Sequence, residues 1–228
     1  MKKATAWKRR RNPSKGRPAR ASEPPYHHGD LPRALLDAAL RLVETRGTRA
    51  LTLRAAARVA GVSQAAPYRH FTNKEALLAA VAEDGFRAMA AAIRDAAAGS
   101  GGRPLERLRA VGLGYVGFAT SHPSQFRLMF GREMSDRDAH PSLREAAGEI
   151  FQLLLDAIAD CQSAGVVRSG EPRDLALTAW STVHGLSALL VDGYPAGVLE
   201  RPTSTLAETV TRDLFFGLGA SPDGAYSA

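Results

Sequence analysis

The chain of 228 residues is long enough for one large domain or for a small and a medium one, and its hydrophobic content of 45% supplies a substantial core. Its single cysteine, Cys161, excludes an intramolecular disulfide framework and suits the reducing cytoplasm, where we expect the protein. We expect no membrane span, because no apolar run approaches about 20 residues. We also expect no secretory signal, because no hydrophobic stretch follows the basic N-terminus.

The net charge of +7 is concentrated at the N-terminus. Residues 1–25 contain nine lysines and arginines against one acidic residue, Glu23, so this segment carries +8 and the other 203 residues together carry −1. A segment rich in proline, lysine and arginine is predicted to be disordered and attracted to polyanions such as nucleic acid. We therefore interpret residues 1–25 as a disordered basic arm; a solubilising tail is the alternative.

Beyond the arm, apolar residues recur at the spacing of α-helices, with no strand alternation. Asp30 is positioned to cap a first helix that ends at Gly47. Eight further helices are predicted, at 53–60, 63–70, 74–98, 105–121, 124–130, 143–163, 174–191 and 204–218. The predicted fold is all-α, with about nine helices in a three-helix head and a C-terminal helical bundle.

One segment has the layout of a helix-turn-helix. Residues 51–71 read LTLRAAARVAGVSQAAPYRHF. This pattern predicts a helix capped by Thr52, a tight turn at Gly61, and a second short helix capped by Ser63. Its small alanines allow the two helices to cross closely, and the second helix of such a pair enters the major groove of DNA.

The stretch from Tyr26 to Phe86 resembles the N-terminal domain of the TetR family of bacterial transcriptional regulators. The similarity is carried by YHHGDL, LTLR, AGVS, YRHF and NKEALL, which begin at residues 26, 51, 60, 68 and 73. The resemblance implies a homodimer bound to a palindromic operator in double-stranded DNA. It implies a DNA-binding domain at 26–73 and an effector-binding and dimerisation domain at 74–220, followed by a tail at 221–228.

The resemblance also assigns DNA contacts within the head. Gln64 and Ala65 would face base edges, since glutamine pairs with adenine and an alanine methyl packs against thymine. Arg69 would reach a base or the backbone. Arg54 would contact the backbone or pair with a carboxylate, and Pro67 removes one donor from the reading helix. Backbone contacts are expected from polar groups at helix ends, namely Thr52, Ser63, Tyr68, His70 and Lys74.

The C-terminal half is similar to a recognised TetR C-terminal type through HPSQFRLMF at 122–130 and WSTVHGLSALLVDG at 180–193. Apolar faces on the last two helices predict a four-helix bundle across a two-fold axis, although packing within one subunit would give the same pattern. Aromatic side chains with a few polar tips suit an apolar effector pocket. The candidate ligand residues, each of which could instead belong to the core, are Tyr115, Phe118, Phe126, Met129, Phe151, Trp180 and His184.

Three glycines fall within one predicted helix. Gly112, Gly114 and Gly117 each cost about 1 kcal/mol relative to alanine in a helix interior. They permit a close approach of another helix or leave room for a ligand. Of the two interpretations, close packing is favoured.

These features predict a regulator and not an enzyme. The histidines lack HxxxH or HExxH spacing, and the chain has no Walker loop, GxSxG or CxxC, so neither a cofactor nor a metal is expected. We expect a repressor that a small, apolar effector releases from DNA. Two alternatives remain: a nucleoid-associated protein that binds DNA without sequence preference through its arm, and an enzyme or carrier that uses the C-terminal cavity.

Overall fold

The structure is a computed structural model that describes residues 30–132, 139–193 and 201–218. Within these ranges it contains eight α-helices, two 3₁₀ turns and no β-strand, which confirms the predicted all-α fold. The arm at 1–25 and the tail at 221–228 lie outside the described residues. The helices are α1 (Leu31–Arg46), α2 (Leu53–Val59), α3 (Lys74–Ala98), α4 (Pro104–Ser121), α5 (Pro123–Phe130), α6 (Pro141–Ser163), α7 (Pro172–Asp192) and α8 (Thr203–Leu218).

The head is built from α1, α2 and the start of α3. As predicted, Thr52 caps α2, because its hydroxyl oxygen accepts a hydrogen bond from the Ala55 N–H at 3.0 Å. Gly61 has a φ of 70°, which allows the tight reversal after α2. Phe71, the last residue of the helix-turn-helix, is buried. The buried side chains of the head, among them Leu35, Leu42, Leu51, Phe71 and Leu77, form the head core, which is continuous with the core of the rest of the protein.

The second element of the helix-turn-helix differs from the prediction. We call residues 63–70 the reading segment; only Ala66–Arg69 within it is helical, as a 3₁₀ turn. In an α-helix the Ser63 carbonyl would accept from the N–H of residue 67, which Pro67 lacks. Instead, the Ala66 N–H donates a hydrogen bond of 3.0 Å to the Ser63 carbonyl oxygen. The turn has no side-chain cap, so the prediction that Ser63 caps a reading helix is wrong.

The body of the protein is a bundle in which α3 and α4 are central. The helix α3 packs against α4, α5 and α6, and α4 packs against α6, α7 and α8. Because α3 also packs against α1, this one helix of 25 residues belongs to both the head and the bundle. A salt bridge of 2.6 Å between Arg33 and Asp84 also ties α1 to α3.

The three glycines of α4 have different surroundings. A Cβ at Gly114 would lie 3.1 Å from the Cα of Ile93, so the backbones of α3 and α4 touch here. A Cβ at Gly112 would lie 3.0 Å from the Thr211 methyl of α8. At Gly117 a Cβ would meet nothing within 4 Å. Close helix packing is therefore confirmed at Gly114 and wrong for Gly117, which faces open space.

Among the described residues, α7 is the helix whose length and mean hydropathy of 1.2 would allow it to cross a membrane. This finding differs from the expectation that no apolar segment of the chain would be long enough to span a membrane. Its buried side chains, including Leu175, Val183 and Leu186, pack in the bundle against α4, α6 and α8. A core helix of a soluble protein has the same composition, so this single helix does not indicate a membrane protein.

Candidate nucleic-acid interface and ligand cavity

The reading segment lies on the head with most of its side chains in solvent. Pro67 and Phe71 are buried and hold the segment against the head core. The residues between and before them point outward; Tyr68, for example, is a large aromatic residue that is 54% exposed. Of the nine predicted DNA contacts, eight are exposed, namely Thr52, Arg54, Ser63, Gln64, Ala65, Tyr68, Arg69 and His70.

Lys74, the ninth predicted contact, has a partner inside the head. Its ammonium donates a hydrogen bond of 2.7 Å to the carbonyl oxygen of Thr48, in the 3₁₀ turn that precedes α2. An ammonium has three donors, so two stay available for a phosphate. Arg54 forms no ion pair with any carboxylate in the ranges that the structure describes, which leaves its guanidinium available to the DNA backbone.

The head is strongly basic. Residues 46–74 contain six arginines and lysines and no acidic residue. Three of these residues, Arg54, Arg69 and Lys74, were predicted as DNA contacts. The other three, Arg46, Arg49 and Arg58, were not predicted and are also exposed. A count of charges over residues 46–74 would have found them. Because DNA is a polyanion, this uniform positive charge suits a phosphate-contacting surface.

A cavity of about 240 Å³ lies within the bundle, between α3, α4, α6, α7, α8 and the end of α5. None of its lining side chains carries a formal charge. An apolar cavity of about 150 Å³ is enough to admit benzene, so this one can hold a larger nonpolar molecule. The lining consists of Phe86, Ile93, Leu108, Val111, Gly112, Tyr115, Phe130, Ala147, Ile150, Phe151, Leu154, Ala179, Trp180, Val183, Thr211, Leu214 and Phe215.

Of the seven predicted ligand residues, Tyr115, Phe151 and Trp180 line this cavity. The other four, Phe118, Phe126, Met129 and His184, do not. Phe118 stacks on His122 with ring centroids 4.6 Å apart, and Met129 is fully buried against Gly85. Three aromatic lining residues were not predicted, namely Phe86, Phe130 and Phe215. Each is an aromatic residue on an apolar helix face, which is the same feature that identified the predicted residues.

Two polar side chains of the lining, Tyr115 and Trp180, are hydrogen-bonded to each other and, through Tyr115, to His184 outside the lining. The Tyr115 hydroxyl lies 2.8 Å from Nδ1 of His184, and the Trp180 indole N–H donates to the Tyr115 oxygen at 3.4 Å. His184 stands directly behind Tyr115, among the rings of Phe126 and Phe130. Burial raises the pKa of Tyr115 and lowers the pKa of His184, so both groups are neutral at physiological pH.

The buried imidazole predicts a specific dependence of stability on pH. Because burial lowers the pKa of His184 below its usual 6.5, the unfolded chain takes up this proton more readily than the folded chain. The contribution of His184 to stability is therefore complete above pH 6.5 and is lost as the pH falls below that value. Urea titrations at several pH values between about pH 7 and pH 5 measure the free energy of unfolding. As the pH falls, this free energy should decrease less for His184→Gln than for the wild type. An equal decrease in the two proteins would contradict the lowered pKa of His184.

The residues that the structure describes form neither a metal centre nor a reactive thiol. No group of three histidines, cysteines or carboxylates converges in the described ranges. Cys161 is buried in the bundle, and burial together with Asp160 raises its pKa to about 11. The side chain is thus a protonated thiol at neutral pH, which does not favour a redox role.

Comparisons with known proteins match both halves of the chain. The profile of bacterial regulatory proteins of the tetR family matches residues 35–81, and that of a tetracyclin repressor-like C-terminal domain matches residues 108–214. The HTH-type transcriptional regulator BetI of Rhizobium meliloti is 40% identical over 82 residues. This match covers 35% of this chain and 38% of BetI.

Solved structures extend the similarity along the chain. A protein of unknown function from Rhodococcus sp. RHA1 has 34% identity and a TM-score of 0.77, and the match covers 87% of this chain and 100% of that one. A bacterial regulatory protein in the tetR family, also from Rhodococcus RHA1, has the same fold at 19% identity and a TM-score of 0.66; that match covers 83% of this chain and 97% of the other. This chain thus belongs to the TetR family of bacterial transcriptional regulators, with a helix-turn-helix DNA-binding domain.

Proposed function

We propose that this protein is a cytoplasmic repressor that binds a palindromic operator as a homodimer and is released by a small hydrophobic effector. The observation that carries the proposal is the placement of α3. Near its start, Leu77 and Leu78 pack in the head core, and farther along, Phe86 and Ile93 line the cavity. One rigid helix therefore connects the proposed DNA-reading surface with the proposed effector site.

The proposed DNA contacts divide by chemistry. Gln64 and Arg69 are exposed side chains that can form bidentate hydrogen bonds with adenine and guanine, respectively. Thr52, Ser63, Tyr68 and His70 offer hydroxyls or a ring N–H to phosphates, and Arg54 and Lys74 offer charge. Phosphate contacts fix the position of the head, so sequence preference rests on the few residues that reach base edges.

The proposed dimer interface lies on α7 and α8. Among the described residues, the large hydrophobic side chains left exposed on these helices are Leu177, Leu189 and Phe216, and Phe216 is 82% exposed. A two-fold axis would pack α7 and α8 of two subunits into a four-helix bundle, and each of these side chains would contribute to the interface from both subunits. The cavity lies against the same helices, since Trp180 of α7 and Leu214 of α8 line it.

Phe216→Glu is therefore expected to dissociate the dimer. Loss of a large interface side chain costs about 2 kcal/mol or more, and the two-fold axis counts that loss twice. Sedimentation velocity at micromolar concentration should show a dimer for the wild type and a monomer for this variant. Val166→Glu is the matched control, because Val166 is an exposed hydrophobic residue outside α7 and α8. A dimeric Phe216→Glu protein would place the interface elsewhere.

Release from DNA requires an effector that prefers a different packing of the bundle. In the DNA-bound dimer the two heads would stand about one turn of DNA, roughly 34 Å, apart. A molecule in the cavity would contact α3 through Phe86 and Ile93, so it could tilt this helix and the head that is attached to it. Its effect on DNA affinity is limited to its difference in affinity between the two bundle arrangements.

A second candidate function, sequence-independent DNA binding through the basic arm, is favoured by the +8 charge of residues 1–25. In the proposed regulator the arm, which precedes the domain at 26–73, would contribute only nonspecific attraction. Selection of bound duplexes from a random pool at near-physiological salt distinguishes the two functions. Recovery of a palindrome supports the proposed repressor, whereas the absence of any consensus favours the alternative.

A further inference from the structure

We propose that the cavity takes an uncharged, mainly hydrophobic molecule that donates one hydrogen bond, from a hydroxyl or an N–H group, to the phenolic oxygen of Tyr115. This inference rests on the proposed function, because it treats the cavity as the effector site. It adds the chemical class of the effector, including the direction of the hydrogen bond that orients it.

The charge of the ligand follows from the lining. No lining residue is acidic or basic, so a charged ligand would leave water without gaining a counter-ion. The burial of an isolated charge costs far more than apolar contacts return. The lining therefore excludes carboxylates, phosphates and ammonium ions from the cavity and admits neutral molecules.

The direction of the hydrogen bond follows from the hydrogen bonds that Tyr115 and Trp180 already form. An indole N–H can only donate, so the contact of 3.4 Å between Trp180 and the Tyr115 hydroxyl makes the Tyr115 oxygen the acceptor. The Tyr115 proton then points to Nδ1 of His184, 2.8 Å away. We assign His184 the tautomer that carries its hydrogen on Nε2, in which Nδ1 accepts this proton, because with the hydrogen on Nδ1 the buried Tyr115 proton would have no acceptor among the described residues.

The neutral state of His184 has a structural cause. Its ring lies 4.7 Å from that of Phe130, 5.5 Å from that of Phe126 and 5.7 Å from that of Trp180, all between centroids. Burial among these rings removes water that would stabilise an imidazolium, which lowers the pKa of His184. With a neutral imidazole in the assigned tautomer, the hydrogen-bond chain from Trp180 through Tyr115 to His184 has one direction at neutral pH.

The remaining polar side chain of the lining is consistent with this direction. The Thr211 hydroxyl donates to the carbonyl oxygen of Ala207 at 2.7 Å, within its own helix. The donors of Tyr115, Trp180 and Thr211 are thus all engaged, and the lining offers only lone pairs to a ligand. A ligand that carries a donor gains a hydrogen bond, whereas a ligand that carries only acceptors loses its bonds to water and gains none.

Three small probes of similar shape test the proposal in the full chain by isothermal titration calorimetry. They are 4-propylphenol, which donates; 4-propylanisole, which has the same ring and only an ether oxygen; and 4-propylbenzoate, which is charged. We expect the phenol to bind the wild type about tenfold or more tighter than the anisole, which corresponds to one hydrogen bond in an apolar site. The benzoate should not bind.

Tyr115→Phe supplies the decisive comparison. It removes the acceptor and frees the Trp180 N–H, so the preference for the phenol should vanish or turn toward the anisole, while hydrophobic binding persists. Thr45→Val is the control, because it removes a hydroxyl from an exposed position on α1 that does not line the cavity, and it should keep the full preference. Thermal melts check that each variant is folded. If Tyr115→Phe does not fold, the ratio measured for the wild type decides alone.

Several results would overturn the inference. These are equal binding of phenol and anisole to the wild type, preferential binding of the benzoate, binding of none of the probes, or a phenol preference that survives in folded Tyr115→Phe. The test contains no DNA, so its failure is separable from failure of the proposed function. A chain that selects a palindrome yet shows no phenol preference would lose this inference and stay a regulator.

Discussion

Gln64→Ala and Arg69→Ala should each weaken binding to the preferred operator by about 5- to 150-fold and relax base preference at one position per half-site. The physical reason is the loss of a bidentate contact, which is worth about 1–3 kcal/mol against the wrong base. Both side chains are exposed on the reading segment, so their removal should leave the head core intact. Fluorescence anisotropy on the operator and on its single-base variants measures both effects.

Lys74→Ala is the matched comparison for this prediction. Its ammonium bonds to the Thr48 carbonyl inside the head and has donors left for a phosphate, so its loss should weaken binding to all sequences alike. Thermal melting separates this effect from destabilisation of the head. If Lys74→Ala changed base preference, or if Gln64→Ala and Arg69→Ala weakened all sequences equally, the division between base and phosphate contacts would be wrong.

Gly114→Leu should destabilise the protein by about 3 kcal/mol, because a side chain at this position meets backbone and not a flexible neighbour. A Cβ alone would lie 3.1 Å from the Cα of Ile93 and 3.3 Å from the carbonyl oxygen of Ala92. The helices α3 and α4 would have to separate. That movement would also disturb the helix that links the head with the cavity.

Gly117→Leu makes the same chemical change three residues farther along α4. Nothing lies within 4 Å of its Cβ position, so the variant should gain about 0.5–1 kcal/mol from helix propensity. Urea denaturation of both variants measures the difference. Similar stabilities for the two would show that α3 and α4 do not approach closely at Gly114.

The sequence was sufficient to predict those parts of the fold that depend on local chemistry. The Thr52 cap, the reversal at Gly61 and the limits of α3 follow from side-chain capping and helical spacing, and the structure confirms each of them. The reading segment was predicted less well. Pro67 was recognised as a missing donor, but the sequence pattern did not indicate that a 3₁₀ turn would form in place of an α-helix.

The cavity shows where periodicity stops being informative. Helical spacing indicates which residues face the core. Met129 is buried in the core, and its neighbour Phe130 is partly buried against it. Whether an inward side chain meets a neighbour or a void depends on how the six helices that line the cavity pack together. Met129 packs against Gly85, whereas Phe130 borders the cavity. Likewise, no pattern along the chain indicates that His184 lies behind Tyr115, because 69 positions separate them.

The most direct test of the central claim is the affinity of the full chain for its selected palindrome relative to a scrambled duplex of the same composition. The measurement is made by anisotropy at about 0.15 M salt and again at about 0.3 M. A regulator that reads sequence through the reading segment should favour the palindrome by at least about 10³-fold at both salt concentrations. A ratio near one, with affinity for both duplexes lost as salt rises, would contradict this account and leave the basic arm as the main contact with DNA.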